Sequence, residues 1–332
     1  MNKEKTLLVY TNFSSFVEND YNILKKKYTV EKYHFPIQSK PRIIILFIKQ
    51  FFWLLFNIHK YSKVYIWFAD YHSLLPILIS KVFSKKSYLV IGGYDVCRIK
   101  DIGYGSFKNK IRGFCAITSI KNANYNIAVS KYIERKIKAI AKNANTLIIY
   151  NSVDTNLKQQ NGIIKENSIL TVGIINSIQR IKLKGIDTFV ELAKNTPDFK
   201  FIIVGANKEL LENYFNGIPN NLEIVGFSNS EELNYYYSKA KIYCQFSRIE
   251  SFCISLAEAI LHNCTPLVFN TGALKEIVSN SESLSINNIN TLSEKIHFFI
   301  ENYNEKDSSP RKSIIEKFSN EIREEKLINL LK

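Results

Sequence analysis

Short runs of apolar residues alternate along the chain with longer segments in which apolar positions recur every three or four residues. The short runs have the length of buried strands, and the longer segments have the spacing of amphipathic helices. This alternation predicts parallel βαβ units. The predicted strands are 7–10, 64–68, 87–91, 126–129 and 147–150, followed by 169–172, 201–204, 222–225, 242–246 and 266–269. The predicted helices of the second series are 186–194, 208–214, 230–240 and 254–262.

A polar, turn-rich stretch divides the two series of strands. It runs through residues 154–167 and includes the sequence QQNG at 159–162. We therefore predict an α/β protein with two doubly wound, Rossmann-like domains, which are 1–150 and 169–310, joined by a linker at 151–168. Residues 311–332 have helical spacing. Open α/β sheets bind ligands beyond the carboxyl ends of their strands, so the two domains are expected to face a ligand cleft.

The composition is that of a globular protein, because 46% of the 332 residues are hydrophobic and 13% are aromatic. It excludes a disordered chain, a collagen-like repeat and a small disulfide scaffold. The five cysteines form no CxxC pair and the five histidines no HExxH motif, so neither a disulfide framework nor a metal site is expected. The first apolar run, 6–10, is typical of a strand and has no cleavage site after it, which predicts a cytoplasmic protein.

The positive charge is concentrated in the first half of the chain. Residues 1–150 hold 25 basic and 8 acidic residues, a net +17, whereas residues 151–332 hold 20 and 22, a net −2. The same half holds an apolar helical segment of sixteen residues, 43–58, interrupted by Lys49, Gln50 and Asn57. A membrane-spanning helix needs about 20 mostly apolar residues, so this segment is predicted to be too short.

Two interpretations of segment 43–58 stay open. It is either a core helix of the first α/β domain or a helix partly embedded in a membrane surface. In the second interpretation, the basic residues in and beside the segment would face the anionic headgroups of the lipid. These residues are Lys40, Arg42, Lys49, Lys60 and Lys63.

Two carboxylates follow the predicted strand 242–246. Glu250 comes shortly after the strand, and Glu258 lies eight residues later in the next helix. Eight helical steps would separate them by about 80° in azimuth and about 12 Å along the axis, so Glu250 reaches the same site only from the loop before the helix. The first N–H groups of that helix, near 252–255, form a cradle for phosphate. The stretch predicts two hydroxyl-binding carboxylates around a phosphate site.

Basic residues follow the first strand of the second domain. Strand 169–172 is followed by Gly173, a polar loop, Arg180 and Lys184. This order puts Arg180 and Lys184 on the same sheet edge as Glu250, where they would neutralise a diphosphate through charge-assisted hydrogen bonds. A solvated lysine-rich loop is the alternative, and the shared edge favours a nucleoside diphosphate site.

These motifs resemble those of the retaining GT-B glycosyltransferases with a two-glutamate E-x7-E motif, which are the group 1 or family 4 type. The stretch from Glu250 to Glu258 matches that motif. The other matches, in the family's order, are NSVD at 151–154, VG at 172–173, KGID at 184–187, FIIVG at 201–205, and IVGF at 224–227 with SEEL at 230–233. The resemblance is strong over about 150–280 and weaker over the N-terminal half, where the family binds its acceptor.

The resemblance implies a donor site for a nucleotide-sugar of the UDP or GDP type. Glu250 is implied to contact the sugar and Glu258 the ribose. Arg180 and Lys184 are implied to bind the diphosphate, and the backbone of Phe252, Cys253 and Ile254 to form the phosphate cradle. The nucleobase is implied to lie at Gly226 and Phe227. No metal, cofactor or covalent nucleophile is implied, and fixed cations would stabilise the departing diphosphate. The last helix, 311–332, is implied to pack back towards the N-terminal domain.

The chain departs from the family pattern at three positions. Cys253 and Asn263 stand where the family commonly has glycine, and Ile174 stands where it has a phosphate-binding arginine. Asparagine tolerates a left-handed backbone, so Asn263 changes little. Arg180 is the predicted substitute for the arginine that is missing at 174.

Two loops of the first half are expected to face the ligand. Gly92 and Gly93 allow the backbone to approach a ligand closely, and Asp95 beside them is a catalytic candidate for orienting the acceptor or the reacting sugar. His72, after strand 64–68, is a second candidate. A capping aspartate and a surface histidine are the alternatives.

The sequence therefore predicts a metal-independent hexosyltransferase that moves a sugar with retention from a nucleotide-sugar to a glycan or polyprenyl-linked acceptor. Surface-polysaccharide or glycolipid synthesis is the implied pathway, and the inner face of the membrane the expected location. The alternatives are a nucleotide-sugar epimerase of the same fold and a basic nucleic-acid-binding protein. No RNP, helix-turn-helix or zinc-finger pattern supports the latter.

Overall fold

Two compact α/β units make up the chain in a computed structural model. The structure describes residues 3–36, 40–156, 162–278, 283–284, 289–304 and 309–332. The first unit comprises Met1–Asn151 and Arg323–Lys332, and the second comprises Ser152–Ile322. Each unit is built on a six-stranded sheet whose strands pair in parallel. The predicted fold class is confirmed.

The first unit has the strand order β2-β1-β3-β4-β5-β6. Its central strands are buried on both faces because helices cover the sheet, and they therefore appear in the sequence as apolar runs. The elements are β1 Lys5–Tyr10, α1 Ser15–Lys27, β2 Thr29–His34, α2 Lys40–Asn57, β3 Lys63–Trp67, α3 Tyr71–Val82, β4 Lys86–Ile91, α4 Lys110–Asn122, β5 Tyr125–Ala128, α5 Lys131–Ile140 and β6 Thr146–Ile148.

The second unit has the strand order β12-β11-β10-β7-β8-β9. From β7 the chain adds β8 and β9 on one side of the sheet, and then returns to add β10, β11 and β12 on the other side of β7. The direction of strand addition therefore reverses between β7 and β10. The elements are β7 Glu166–Ile175, α6 Ile178–Lys184, α7 Ile186–Asn195, β8 Lys200–Ala206, α8 Lys208–Phe215, β9 Leu222–Val225, α9 Ser230–Lys239, β10 Ala240–Gln245, α10 Ile254–Leu261, β11 Thr265–Phe269, α11 Leu274–Ile277, β12 Ser283–Leu284, α12 Ile289–Glu301 and α13 Ser309–Phe318.

Strand β2 is absent from the predicted strands. It lies at the edge of its sheet, and its side chains are exposed or half-buried. Edge strands commonly carry charged residues, here Glu31 and Lys32. Such a strand has no apolar run for sequence analysis to find.

The segments that join the two units differ from the prediction. Strand β7 begins at Glu166, so the predicted linker 151–168 includes the start of the strand, and residues 157–161 of that linker lie outside the described part. The predicted last helix, 311–332, is two helices: α13 and then α14, Asn320–Leu331. They are separated at Ser319, which pairs with Val153 and accepts a hydrogen bond from the N–H of Ile322.

Helix α2 is more exposed than a core helix. Residues 42–60 are long and apolar enough to cross a membrane by length and composition, and only 17% of that stretch is buried in the unit. By length and composition the finding corrects the expectation that the segment is too short, since the helix begins at Lys40 and a 3-10 turn, 58–60, continues it. The low burial also shows that the helix is not wholly internal, although one face packs on the core.

Candidate active site

The candidate site lies at the carboxyl ends of β7 and β10. Helix α6 follows β7, and a loop that carries Glu250 follows β10. Because the strand order reverses between these two strands, their connections leave in opposite directions and open a crevice at this edge of the sheet. Lys184 and Glu250 therefore reach one place from two different connections.

Lys184 and Glu250 form an ion pair at this edge. Nζ of Lys184 lies 2.5 Å from Oε1 of Glu250, and the two side chains are 19% and 13% exposed. Burial lowers the pKa of Lys184, but the charge of Glu250 and the hydrogen bond to it outweigh burial, so the pKa of Lys184 is raised above its usual value. Lys184 is therefore a cation throughout the neutral pH range.

Gly185 fixes the position of Lys184. It ends helix α6 with a φ of 67°, in the left-handed region. A Cβ at this position would lie 2.0 Å from the carbonyl oxygen of Phe246, at the end of β10. Only glycine fits so close to another backbone, and this close approach brings Lys184 onto the end of β10.

A chain of hydrogen bonds supports the carboxylate of Glu250. Tyr243 donates to Oε1 of Gln245 over 2.9 Å, Nε2 of Gln245 donates to Oγ of Ser247 over 2.6 Å, and Ser247 donates to Oε1 of Glu250 over 2.9 Å. The first three residues alternate along β10 and its continuation, so their side chains lie on one face. Sequence analysis missed them, although polar residues at alternate positions of an otherwise apolar strand were a usable signal.

The loop after β11 holds the backbone of Glu250. The N–H of Ala273 donates to the carbonyl oxygen of Glu250 over 2.9 Å. Gly272 precedes it with a φ of 59°, and a Cβ there would lie 2.1 Å from the same oxygen. The side chain and the backbone of Glu250 are thus fixed by separate elements, as an orienting carboxylate requires.

Helix α10 begins directly after a strained residue. Cys253 has a φ of 84°, in the left-handed region, and it stands where the family pattern has glycine. Its thiol is buried and donates to Oε1 of Gln245 over 3.3 Å. The ring of Phe252 packs 5.2 Å from that of Phe318. The backbone at 252–254 is therefore held firmly, and the first N–H groups of α10 have no partner within the helix.

Glu258 lies in the second turn of α10. Tyr237, on helix α9, donates its hydroxyl hydrogen to Oε2 of Glu258 over 3.0 Å. Burial raises the pKa of Glu258 to about 7, and the bond from Tyr237 offsets only part of that shift. Glu258 therefore changes its charge near neutral pH. Tyr237 is a further site residue that sequence analysis missed.

Arg180 lies one turn before Lys184 in helix α6. Its charge lowers the pKa of Lys184, which indicates that the two cations are close. No hydrogen bond or ion pair joins the Arg180 side chain to another residue in the described ranges. Ile174, at the position of the family's arginine, is 59% exposed. Arg180 is therefore available for an anion, and its role as the substitute stays a prediction.

The turn after β9 carries an exposed aromatic ring. Phe227 is 85% exposed. It borders an open cavity of about 490 Å³ whose lining includes Val225, Ser228, Tyr235 and Tyr236. A Cβ at Gly226 would meet nothing within 4 Å, so space does not require glycine there. An exposed ring beside an aromatic-lined cavity suits the stacking of a planar base.

Both candidates of the first unit are buried. Oδ2 of Asp95 accepts a hydrogen bond from the N–H of Ala69 over 3.0 Å, and Oδ1 accepts one from Gly93 over 2.7 Å. Burial raises the pKa of Asp95 to about 6, although these backbone bonds lower it. Nε2 of His72 lies 2.7 Å from the carbonyl oxygen of Trp67. Both side chains hold the ends of β3 and β4, and contact of Asp95 or His72 with a substrate stays a prediction.

Cation-binding groups do not cluster in the described ranges. No three side chains of His, Cys, Asp or Glu there come together in a group that could hold a metal ion. The five cysteines are buried and free. At the carboxyl ends of β7 and β10, Arg180, Lys184 and the start of α10 supply positive charge that an anion could meet.

One family model matches most of the second unit. Residues 153–317 match the family model for glycosyl transferases group 1. No curated protein matches the sequence. The match begins at the start of the second unit and ends in α13, so it covers the strands and helices that carry the site.

Solved structures resemble the whole chain. Sucrose-phosphate synthase from Thermosynechococcus elongatus has a TM-score of 0.77 at 14% identity, with 99% of this chain and 98% of that chain covered. HepE from Anabaena, in complex with UDP-glucose, has a TM-score of 0.73 at 14% identity, with 98% and 99% covered. The lipopolysaccharide outer core galactosyltransferase WaaB, in its apo form, has a TM-score of 0.73 at 15% identity, with 98% and 99% covered. The chain therefore has the GT-B glycosyltransferase fold, and its residues 153–317 match the group 1 glycosyl transferases.

Proposed function

We propose that this protein is a retaining glycosyltransferase that moves a sugar from a UDP- or GDP-linked donor to a glycan or lipid-linked acceptor. The observation that carries the proposal is the Lys184–Glu250 pair at the reversal of strand order, with Glu258 on the next helix. The group 1 match supports the transferase class. The names of two similar structures, HepE with UDP-glucose and the lipopolysaccharide galactosyltransferase, support a nucleotide-sugar donor and a role in surface-polysaccharide or glycolipid synthesis.

Each part of the donor has a matching group in the second unit. The Glu258 carboxylate would accept hydrogen bonds from the ribose hydroxyls, and Phe227 would stack on the base. The N–H groups at the start of α10 and the guanidinium of Arg180 would bind the diphosphate. Glu250, held by its network, would accept hydrogen bonds from the sugar.

The reaction breaks the bond between the anomeric carbon and the diphosphate oxygen. The bonding electrons leave with the diphosphate. Its growing negative charge is stabilised by Lys184, Arg180 and the N–H groups at the start of α10. The acceptor hydroxyl then bonds to the anomeric carbon on the side that the diphosphate leaves, and its proton passes to an oxygen of the departing diphosphate. We propose no covalent bond to the enzyme. Because fixed cations meet the diphosphate charge, we expect transfer to continue in the presence of a chelator.

Removing either cation is expected to slow donor turnover. Lys184→Ala and Arg180→Ala should each lower kcat/KM by roughly one to two orders of magnitude, because each loses a charge-assisted contact of about 1.5–3 kcal/mol. Steady-state kinetics with the preferred nucleotide-sugar measures this effect. Lys208→Ala, on the exposed surface of helix α8, is the matched control. Wild-type kinetics in the Arg180 variant would show that Arg180 does not replace the arginine missing at 174.

Donor binding is expected to strengthen as the pH rises through neutrality. Because the pKa of Glu258 is raised to about 7, the carboxylate that accepts the ribose hydroxyls is mostly protonated at about pH 6 and mostly ionised at about pH 8. The Kd of an intact nucleotide-sugar should fall by up to about tenfold over that range. Its diphosphate is esterified at both ends and does not titrate there.

The Glu258→Gln variant is the control for this titration. It should bind weakly at both pH values and show a flat profile. A profile in the variant as steep as that of the wild type would assign the titration to another group.

A panel of UDP- and GDP-sugars tests the proposed function. We expect one nucleotide class to raise the melting temperature of the wild type and to be slowly hydrolysed, and we expect Glu258→Ala to reduce the shift. If no nucleotide-sugar stabilises the protein or is consumed, the proposal is wrong.

A further inference from the structure

The exposed face of helix α2 is apolar along most of its length. Ile44, Ile48, Phe52 and Phe56 are between 53% and 71% exposed. We propose that this face lies on the surface of an anionic membrane. The proposal needs no nucleotide-sugar and so goes beyond the proposed function.

The four side chains form one stripe. They recur every four residues, and at about 100° per residue they span an arc of about 120°. On the same scale Lys49 lies at the edge of the stripe. Arg42 falls beside it on the same flank, and Lys60 lies in the short 3-10 turn that follows the helix. An exposed apolar stripe with cations along one side is the pattern of a helix that lies in a lipid interface.

The opposite face of α2 is attached to the first unit. Leu54 is buried, and the ring of Trp53 lies 4.7 Å from that of Tyr33. The buried Nε2 of Gln50 donates to the carbonyl oxygen of His72 over 3.0 Å. The helix cannot turn its apolar stripe inwards without breaking these contacts, and it cannot cross a bilayer without leaving the unit. These contacts favour a helix parallel to the membrane surface.

The charge around α2 favours anionic lipid over a second copy of the chain. Residues 32–69 contain six lysines and arginines and no acidic residue. The acidic residues that border this stretch, Glu31 and Asp70, are paired with Lys5 and Arg112. Two copies meeting through the same face would bring like charges together. An anionic lipid surface instead attracts the cations and covers the stripe.

A second apolar ridge lies on helix α4. Ile111 is 67% exposed and Phe114 is 64% exposed. Helix α3 packs against both α2 and α4, so the two ridges belong to the same helical layer. The ring of Phe47 in α2 lies 6.2 Å from that of Tyr71, the first residue of α3 after β3. The layer therefore reaches the carboxyl edge of the sheet. If the proposed transfer holds, an acceptor carried by a lipid is favoured over a soluble glycan.

Vesicle binding tests the inference without donor or turnover. The full chain is mixed with phosphatidylglycerol or phosphatidylcholine vesicles and sedimented at low and high salt. We expect binding to the anionic vesicles only, and at least tenfold weaker binding when salt screens the cations. The triple variant Ile48→Ser, Phe52→Ser and Phe56→Ser should bind at least tenfold more weakly than the wild type.

Two further variants make the test specific. Arg42→Gln, Lys49→Gln and Lys60→Gln together should weaken binding to the anionic vesicles and leave the apolar stripe intact. Ile164→Ser with Phe298→Ser removes exposed apolar side chains of the second unit, 85% and 58% exposed, and should bind as the wild type does.

Several results would overturn the inference. Three results with vesicles would do so: no binding of the wild type to anionic vesicles at low salt, equal binding by the Ile48, Phe52 and Phe56 variant, or attachment that only detergent releases. The last result would mean a spanning helix. A dimer in light scattering that the same variant abolishes would assign the face to a second copy. A wild type that hydrolyses the donor but binds no anionic vesicles would refute the inference and leave the proposed function standing.

Discussion

Glu250→Gln should lower turnover by at least about two orders of magnitude while the Kd for the nucleoside diphosphate changes little. Lys184 and Ser247 hold the carboxylate at the place where the sugar would react, and the N–H of Ala273 holds the backbone carbonyl of the same residue. Removing one fixed electrostatic group from a reacting centre commonly costs about 10²–10³ in kcat. Glutamine keeps the shape of the side chain, so the effect reports the charge. Steady-state kinetics and calorimetry on the same sample separate turnover from affinity.

Glu258→Ala should mainly weaken the binding of the nucleoside diphosphate, whereas the Glu250 variant mainly loses turnover. The Glu258 carboxylate is assigned to the ribose, so its loss should raise the Kd for the nucleoside diphosphate by roughly tenfold or more, the value of a hydrogen bond to a charged group. Glu212→Gln, on the exposed side of α8, should leave both quantities unchanged. Equal loss of nucleotide affinity in the Glu250 and Glu258 variants would overturn the assignment of the two carboxylates.

Arg323→Ala should destabilise the first unit by about 3–5 kcal/mol, the usual cost of breaking a buried ion pair. Arg323 in helix α14 donates to both carboxylate oxygens of Asp20 over 2.6 and 2.7 Å, and to the carbonyl oxygen of Tyr150 over 2.6 Å. Tyr65 and Trp67 also donate to Asp20. The variant leaves the Asp20 charge buried without its cation, so the contact between α14 and the unit should weaken.

Hydrogen exchange measures this effect unit by unit. The amides of β1 and β3 should exchange faster in the Arg323 variant, and those of β7 and β8 should not change. Lys26→Ala is the control, because it breaks an ion pair between helix α1 and Glu324 of helix α14. The side chains of Lys26 and Glu324 are 60% and 31% exposed. That variant should cost at most about 1 kcal/mol, as exposed pairs do. Similar exchange in the two variants would show that the Arg323 network does not hold α14.

The fold was predictable because both sheets are parallel and covered by helices. Strands buried on both faces carry continuous apolar runs, and the ten predicted strands all lie on strands of the two sheets. The two strands that were missed, β2 and β12, lie at sheet edges. An edge strand has one side open to solvent and needs no apolar run.

The sequence predicted the residues that would contact the donor, but not the residues that position them. The order of Lys184, Glu250 and Glu258 along the chain places them at strand ends, and strand ends share an edge in a parallel sheet. Tyr237 acts through a contact with Glu258, 21 residues later in the chain. Gln245 bonds to Tyr243 and Ser247, which lie on the same face of one strand and its continuation. Cys253 occupies a left-handed backbone position that sequence reasoning assigns to glycine. Asn263, which was expected to tolerate that conformation, has a φ of 60°.

Burial was the property that sequence reasoning predicted least well. Asp95 follows a strand and two glycines, as a ligand-binding residue does, but its oxygens bond to backbone N–H groups of its own unit. Helix α2 has the composition of a core helix, but its stripe is uncovered. Apolar spacing defines a helix face, and only packing decides whether another element covers that face.

The configuration of the released sugar tests the central claim most directly. The donor that binds best is incubated with the wild type, and the anomeric proton signal is followed by nuclear magnetic resonance from the first turnovers, before the free sugar equilibrates. We expect that nucleoside diphosphate is released and that the sugar first appears with the anomeric configuration it had in the donor. An inverted first product would contradict retention, and a sugar changed at another carbon would indicate an epimerase.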